Sequence, residues 1–170
     1  TIPRPRFVSV ADIETINVPE FLQDLIIKYG LTPEMLLVEI TETAFSENNI
    51  IVRETIDQLH QYGFCILMDD FGSGYSSLNA LKDIPVNIIK MDMRFVSQTQ
   101  DPARADTIIK MILAMAKELN MEVVAEGVET VEQAEKLKQY GCSYIQGYLY
   151  AKPMPTEEYP EFVKNMKQGN

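Results

Sequence analysis

The stretch FCILMDDFGSG at residues 64–74 decides the fold. FCILM is a continuous apolar run of strand length, which is typical of a strand that is covered on both faces. Two carboxylates, Asp69 and Asp70, follow at the point where the run ends. The next apolar run, VNIIKM at residues 86–91, carries Lys90 and Asp92 around its own end. Polar groups at the ends of successive strands indicate a functional site on one side of a parallel sheet.

Further apolar runs with a polar residue at the end lie on either side of this stretch. MLLVEI at residues 35–40 contains Glu39. On the other side, EVVA at residues 122–125 is followed by Glu126, and Gln146 lies inside a short run that begins at Tyr144. Each of these five successive predicted strands therefore carries a polar side chain at or near its carboxyl end.

Segments with helical spacing separate the apolar runs. One helix is predicted to open at Pro19 and end at Gly30, a second ends at Gly63, and TVEQ at residues 130–133 matches a capping box that opens another. With residues 7–10 as a further strand, six strands alternate with helices, which predicts a parallel α/β fold. A closed (β/α)8 barrel gathers its strand ends around one point, whereas an open doubly wound sheet spreads them along a line. The series of polar strand ends therefore favours the barrel.

Length, composition and charge bound the possible functions. The chain has 170 residues, of which 46% are hydrophobic and 24% charged, the balance of a single globular unit. A net charge of -10 disfavours binding to long DNA or RNA, because the phosphate backbone of the nucleic acid is also negatively charged. No apolar run approaches membrane-spanning length and the first 20 residues do not resemble a signal peptide, so we expect a cytoplasmic domain. The proline-rich residues 1–6 are interpreted as a linker or a cut end, and residues 7–170 as the domain.

The polar residues at the strand ends point to chemistry with metal ions. Glu39, Asp69, Asp70 and Glu126 supply hard oxygen ligands that suit Mg²⁺ or Mn²⁺. The sole histidine, His60, falls on a predicted helix where we expect it to be solvated, so neither a Ser-His nucleophile nor a histidine-based zinc site is available. Adjacent carboxylates repel unless cations separate them, and enzymes that displace oxygen at phosphorus commonly use two metal ions about 4 Å apart. The sequence thus predicts metal-assisted phosphoester hydrolysis.

The glycine-containing segment FGSGYSS at residues 71–77 matches neither a dinucleotide fingerprint nor a phosphate-cradling loop. Two glycines directly after the carboxylate pair instead favour a mobile loop beside the site, with a plain turn as the alternative.

Four segments together closely resemble the signature segments of EAL-domain cyclic di-GMP phosphodiesterases. They are LLVEITET at residues 36–43, MDDFGSGYSSLNALKDIPVNIIKMD at 68–92, VVAEGVETVEQAEKL at 123–137 and GCSYIQGYLYAKPMP at 141–155. The resemblance runs from about residue 8 to residue 162 and implies a TIM-like barrel with one antiparallel strand. It also implies hydrolysis of cyclic di-GMP to pGpG in bacterial second-messenger signalling, with two Mg²⁺ or Mn²⁺ ions in the site.

The resemblance further implies a role for each matching residue. Glu39, Asp69 and Asp70 match metal ligands, Lys90 matches a lysine that contacts the attacking water, and Glu126 matches a glutamate proposed as base or ligand. The remaining matches are supporting residues of the site, namely Asp92, Glu129 and Gln146, together with Glu42, which matches the anchor of the FGSGYSS loop.

The sequence also departs from the family pattern. The Glu-Ala-Leu motif with its metal-binding glutamate is not present, and the segment VSVADI at residues 8–13 lacks the family's metal-binding asparagine. The chain is therefore expected to form the C-terminal two-thirds of a barrel. A catalytically inactive receptor for cyclic di-GMP, or a regulatory scaffold, is the alternative to an active enzyme. An upstream sensory or GGDEF-type domain and a homodimer are the expected protein partners.

Overall fold

A computed structural model describes residues 4–46, 50–72, 81, 85–93 and 101–168 of the chain. The strands are β1 (Arg4–Phe7), β2 (Leu36–Thr41), β3 (Cys65–Phe71), β4 (Ile88–Asp92), β5 (Glu122–Glu126) and β6 (Tyr144–Gln146). The α-helices are α1 (Val10–Thr15), α2 (Val18–Tyr29), α3 (Glu42–Ser46), α4 (Ile50–Gln61), α5 (Pro102–Glu118), α6 (Val131–Gln139) and α7 (Tyr159–Gln168), and a 3₁₀ turn spans Pro33–Met35.

The strands form one parallel sheet in the order β1-β2-β3-β4-β5-β6. Each connection moves one strand further in the same direction. Because such crossovers are right-handed, an unchanging direction places the connecting helices on one face, as in a barrel. A doubly wound sheet reverses direction instead. The parallel α/β prediction is therefore confirmed, and the winding is that of a TIM-like fold.

One face of the sheet is apolar and covered by helices. Val38 lies beside Ile66, Met68 beside Ile89, and Ile89 beside Val123 in the strand register. All five side chains are buried and belong to one hydrophobic core. The helix residues in the same core include Leu22, Ile26, Ile56, Leu59, Leu113 and Leu137.

The other face carries the polar residues that the sequence singled out. In the register, Glu39 lies beside Leu67, Lys90 beside Val124, Asp92 beside Glu126, and Glu126 beside Gln146. Since side chains alternate between faces, a slip of one residue would bring these charges into the helix-covered core. Burial on one face therefore fixes the position of the site on the other.

The start of the chain differs from the prediction. The first strand is Arg4–Phe7, so residues 4–6, which were expected to form a linker or a cut end, pair with β2, and the strand predicted at residues 7–10 ends at Phe7. Within this strand, Pro5 lies beside Leu37 of β2. Helix α1 begins at Val10 because Ser9 and Asp12 form a capping box, in which the Ser9 Oγ accepts the Asp12 N–H at 3.2 Å.

Two other predicted helix boundaries are confirmed. Helix α2 is followed by Gly30 with φ 62°, and Thr130 and Gln133 form the predicted capping box of α6. Strand β6 is shorter than the apolar run, since the N–H of Tyr150 donates to the carbonyl of Gly147 at 3.1 Å and turns the chain. Of the FGSGYSS segment, residues 73–77 lie outside the described residues, as does most of the short helix predicted after it.

The side chain of His60 does not have the solvated environment expected from the sequence. It is half-buried, and its Nε2 lies 2.6 Å from the carbonyl oxygen of Pro85. With the ring N–H as donor, this hydrogen bond ties the end of α4 to the segment that enters β4.

Among the described residues, no helix combines the length and apolar character required to cross a membrane.

The chain segments that follow β5 and β6 remain in close contact. The N–H of Val128 donates to the carbonyl of Gln146 at 3.2 Å, and the N–H of Leu149 donates to the carbonyl of Val128 at 3.1 Å. Gly147 lies between these bonds, and a Cβ atom there would overlap the backbone N, C and O atoms of Val128. This contact holds the ends of the two strands together.

We predict that Gly147→Ala lowers the free energy of unfolding by about 3 kcal/mol, because backbone atoms must move to admit the methyl group. Gly30→Ala is the control, since a Cβ at Gly30 meets nothing within 4 Å and only the left-handed backbone is strained, which costs about 1 kcal/mol. Denaturant unfolding of both variants measures the difference. If both variants lost the same free energy of unfolding, the close contact between Gly147 and Val128 would not contribute to stability.

Candidate active site

Four neighbouring strands each contribute one charged side chain to a cluster around Lys90. The Nζ atom of Lys90 on β4 lies 2.6 Å from Oε1 of Glu39 on β2 and 3.2 Å from Oδ1 of Asp69 on β3. On the opposite side, Oε2 of Glu126 on β5 lies 3.5 Å away. The structure thus brings together four of the predicted site residues at the carboxyl ends of parallel strands.

The cluster is mostly withdrawn from solvent. The side chains of Lys90, Glu39 and Asp69 are 14%, 11% and 17% exposed. Burial raises the pKa of the Glu39 carboxyl, Lys90 opposes this rise, and the negative charge of Asp69 adds to it. Burial alone would lower the pKa of Lys90, but the surrounding carboxylates outweigh burial and raise it. Lys90 is therefore an ammonium ion at neutral pH.

The donor set fits a divalent metal ion in its chemistry. Three carboxylates surround one ammonium, which leaves an excess of negative charge at the strand ends. Oδ1 of Asp69 is buried and makes no hydrogen bond with the described residues, although it lies near Lys90. A buried carboxylate oxygen that is ion-paired with an ammonium but accepts no hydrogen bond from the described residues is suited to a hard cation such as Mg²⁺ or Mn²⁺. Within the described residues, no three Asp, Glu, His or Cys side chains are grouped closely enough to form a complete site. Glu39 and Asp69 could therefore supply only part of a ligand set.

Strand β3 contains a β-bulge at Asp69 and Asp70. Met68 pairs with Ile89 but Phe71 pairs with Met91, so β3 has one more residue than β4 over this interval. Asp70 is exposed and has a left-handed backbone with φ 57°. The extra residue returns Phe71 to the helix-covered face, where it is 3% exposed and part of the core. Both carboxylates can then lie at the mouth of the site while Phe71 stays packed in the core.

The side chain of Glu42 fixes the beginning of the glycine-containing loop. Glu42 is the first residue of α3 and is only 2% exposed. Its Oε2 accepts the N–H of Gly72 at 3.1 Å, and Gly72 has φ 96°. This is the contact expected of a loop anchor, and it joins the end of β2 to the end of β3 directly behind the carboxylate pair.

A cavity opens beside the cluster. It has a volume of about 600 Å³, and its polar wall is formed by Asp92, Glu126, Glu129 and Gln146. The Nε2 of Gln146 donates to Oε1 of Glu126 at 3.2 Å, so Glu126 contacts both the cavity and Lys90. The N–H of Glu129 donates to the side chain of Gln133, which positions Glu129 at the start of α6. Of the predicted supporting residues, Asp92, Glu129 and Gln146 thus line one space next to the charged cluster, whereas Glu42 contacts Gly72.

The fold and the site together define a TIM-like α/β domain with an acidic site at the carboxyl ends of its strands. A model of the EAL domain family matches residues 6–153. The chain belongs to the EAL domain family.

Curated proteins with similar sequences are bacterial signalling proteins. Signaling protein YkoW of Bacillus subtilis is 33% identical over 156 residues, covering 92% of this chain and 20% of YkoW. The probable cyclic di-GMP phosphodiesterase PdeB of Escherichia coli is 39% identical over 143 residues, covering 84% and 27% of the two proteins. The cyclic di-GMP phosphodiesterase RocR of Pseudomonas aeruginosa is 37% identical over 143 residues, covering 84% and 36%. The chain thus spans 20% to 36% of the length of these relatives.

Solved structures of similar shape include nucleotide complexes. The PaMucR phosphodiesterase in complex with c-di-GMP superposes with a TM-score of 0.82 at 32% identity, covering 92% of this chain and 64% of that one. The manganese/cy-diGMP complex of Klebsiella pneumoniae BlrP1 superposes with a TM-score of 0.78 at 29% identity, covering 86% and 38%. BlrP1 also forms a calcium/cy-diGMP complex.

We predict that Asp70→Asn leaves the free energy of unfolding within about 0.5 kcal/mol of the parent, because asparagine tolerates a left-handed backbone as well as aspartate does. Asp70→Val should lower it by about 1–2 kcal/mol, since a β-branched side chain is strained at positive φ. Denaturant unfolding measures both. A valine variant as stable as the asparagine variant would contradict the bulged geometry of β3.

Proposed function

We propose that the chain is part of a metal-dependent phosphodiesterase that hydrolyses cyclic di-GMP to pGpG in bacterial second-messenger signalling. The observation that carries the proposal is the Lys90 cluster, in which carboxylates from three strands surround an ammonium ion beside a cavity. Membership of the EAL domain family and the cyclic di-GMP complexes of similar structures support the choice of substrate.

The proposed cofactors are two Mg²⁺ or Mn²⁺ ions, with Glu39, Asp69 and Asp70 among their ligands. When bound, these ions withdraw electron density from the phosphate and lower the pKa of water. The two carboxylates of the bulge lie next to each other at the strand end, which suits an ion on either side of the pair. We propose a cytoplasmic location, an upstream sensory or GGDEF-type domain and a homodimer as the setting in which the site acts.

Lys90 orients the attacking water and offsets the charge that develops on the phosphate. Its pKa is raised, so it is a poor general base and a good donor of hydrogen bonds. A fixed ammonium stabilises a transition state with increased negative charge more than it stabilises the bound substrate.

Glu126 is the proposed proton acceptor of the reaction. Gln146 donates to its Oε1, while Oε2 faces Lys90, so the carboxylate is held between the water-orienting ammonium and the cavity. Glu126 takes a proton from the attacking water as its oxygen bonds to phosphorus and the ester oxygen leaves. The leaving oxygen then takes up a proton and becomes the hydroxyl of the linear product.

A receptor that binds cyclic di-GMP without turnover is the second candidate. β1 ends at Phe7 and α1 begins at Val10, so only Val8 and Ser9 connect them, without the metal-binding asparagine of the family. Loss of one ligand weakens a metal site more than it weakens a nucleotide cavity.

We predict that a protein in which this chain completes a barrel forms pGpG from cyclic di-GMP with Mg²⁺ or Mn²⁺ and that Ca²⁺ inhibits. The larger ion accepts looser coordination and polarises water less. Chromatographic separation of the nucleotides with each ion measures product. Intact nucleotide binding without pGpG under Mg²⁺ or Mn²⁺ would favour the receptor.

We predict that Lys90→Met, which keeps a long side chain but removes the charge, lowers kcat by about 100-fold or more. Affinity for cyclic di-GMP should stay within several-fold, because the ammonium acts mainly in the transition state. Lys117→Met, on the exposed side of α5, is the control and should leave both quantities unchanged. Near-normal turnover, or a loss confined to affinity, would make Lys90 only a counter-ion for the carboxylates.

A further inference from the structure

The pairing of β3 with β4 is interrupted beside the charged cluster. The register pairs Met68 with Ile89 and then shifts at the bulge. By contrast, β2 pairs with β3, and β4 pairs with β5, without a break. Lys90 lies within the interrupted interval, so its position relative to Asp69 depends on the contacts that fix β4 before the bulge.

Asn87, the residue before β4, makes such contacts through its backbone and its side chain. Its N–H donates to the carbonyl of Ile66 on β3 at 3.0 Å. Its side-chain Oδ1 accepts the N–H of the same Ile66 at 2.7 Å. In a regular parallel ladder a strand carbonyl accepts such an N–H, so the carboxamide oxygen extends the ladder at the entrance of β4.

The backbone of Asn87 also bonds to the next strand. Its carbonyl accepts the N–H of Glu122 on β5 at 3.0 Å. One residue therefore connects β3, β4 and β5, the strands that carry Asp69, Lys90 and Glu126.

The side-chain bond of Asn87 is not readily replaced. Ile66 is 0% exposed, so water has little access to its N–H as an alternative acceptor. The carbonyl of Pro85, two residues before Asn87, already lies 2.6 Å from Nε2 of His60. A buried N–H without an acceptor is costly, so loss of the Asn87 oxygen favours a displacement of the start of β4.

We propose that Asn87 is a positioning residue, whose carboxamide fixes β4 against β3 and so holds the ammonium of Lys90 beside Glu39 and Asp69. Lys90 follows Asn87 by three residues, and its Nζ lies 2.6 and 3.2 Å from the two carboxylates. Displacement of β4 changes both distances, and misplacing a reacting group by about 1 Å can lower a rate about 100-fold. The inference rests on the proposed function for its effect on catalysis, because that function gives Lys90 its role in the chemical step.

The kinetic test compares two substitutions of Asn87 in a protein with the complete barrel. Asn87→Leu keeps the approximate volume and removes the acceptor oxygen, so kcat should fall by about 10-fold while KM for cyclic di-GMP changes less than about 2-fold. Asn87→Asp keeps an oxygen in the same place and should return kcat to within about 3-fold of the parent. Should the leucine variant not fold, Asn87→Ala removes the same oxygen without adding a larger apolar side chain.

A second readout measures the position of Lys90 without turnover. Because Lys90 is 14% exposed and ion-paired, its ammonium hydrogens should exchange slowly with water and give a ¹H–¹⁵N nuclear magnetic resonance signal. Loss of this signal in Lys90→Met assigns it. We expect the signal to shift or disappear in Asn87→Leu and to keep its parent position in Asn87→Asp.

Ser143 provides the matched control. Its Oγ accepts the N–H of Val123 at 3.3 Å, which is also a bond from a side chain to the backbone of the preceding strand, at the entrance of β6. There, however, the pairing of β5 with β6 has no break. Ser143→Ala should therefore lower the free energy of unfolding and leave kcat and the ammonium signal unchanged.

The outcomes separate the role of Asn87 from the proposed function. A lower kcat and a displaced ammonium signal without the oxygen, both restored by aspartate, would support the positioning role. A folded leucine or alanine variant with parental kcat and ammonium signal would overturn it and leave the phosphodiesterase proposal in place. So would equal changes in Ser143→Ala. A parent protein that forms no pGpG would overturn the proposed function, whereas the ammonium signal would still decide whether Asn87 positions Lys90.

Discussion

The ion pairs of Lys90 are the interaction on which the rest of the site depends. An ammonium among carboxylates from three neighbouring strands allows negative charge to be buried where the strands converge. Without the ammonium, Glu39 and Asp69 would repel each other in surroundings that raise the pKa of Glu39. The same charge balance prepares the site for cations, since the carboxylates outnumber the ammonium. The ion pairs of Lys90 therefore account both for the burial of the carboxylates and for the chemistry proposed for them.

Side chains alternate between the two faces of each strand, so packing in the core also fixes the positions of the charged side chains on the opposite face. Packing of Ile40, Met68 and Met91 under the helices fixes the register, and the register decides which oxygens face Lys90. The bulge in β3 is the one local departure from that alternation among the strand pairs described. It gives the site two adjacent carboxylates while keeping Phe71 in the core, at the cost of a left-handed aspartate. Unusual backbone conformations cluster at functional sites, so the position of Asp70 beside the charged cluster supports a functional interpretation of these ion pairs.

Much of the fold was predictable from the sequence because its signals are local. Apolar runs, glycines at helix ends and the Thr130–Gln133 capping box depend on neighbouring residues only, and the polar strand ends identified Glu39, Asp69, Lys90 and Glu126. The missed features depend on partners far along the chain. Arg4–Phe7 is a strand because β2 pairs with it, and His60 bonds to Pro85 across 25 residues. The bulge left a signal that could have been used, since Asp69 and Phe71 would share a face in an unbroken strand.

Metal uptake at the Lys90 cluster can be measured by titration with Mn²⁺, followed by the electron paramagnetic resonance of the unbound ion. We predict that a protein with the complete barrel and bound cyclic di-GMP takes up two ions, and that Asp69→Asn abolishes tight uptake while the protein stays folded. Asp57→Asn, on the exposed side of α4, should bind as the parent does. Undiminished uptake by the Asp69 variant would contradict the claim that the carboxylates around Lys90 form a metal site.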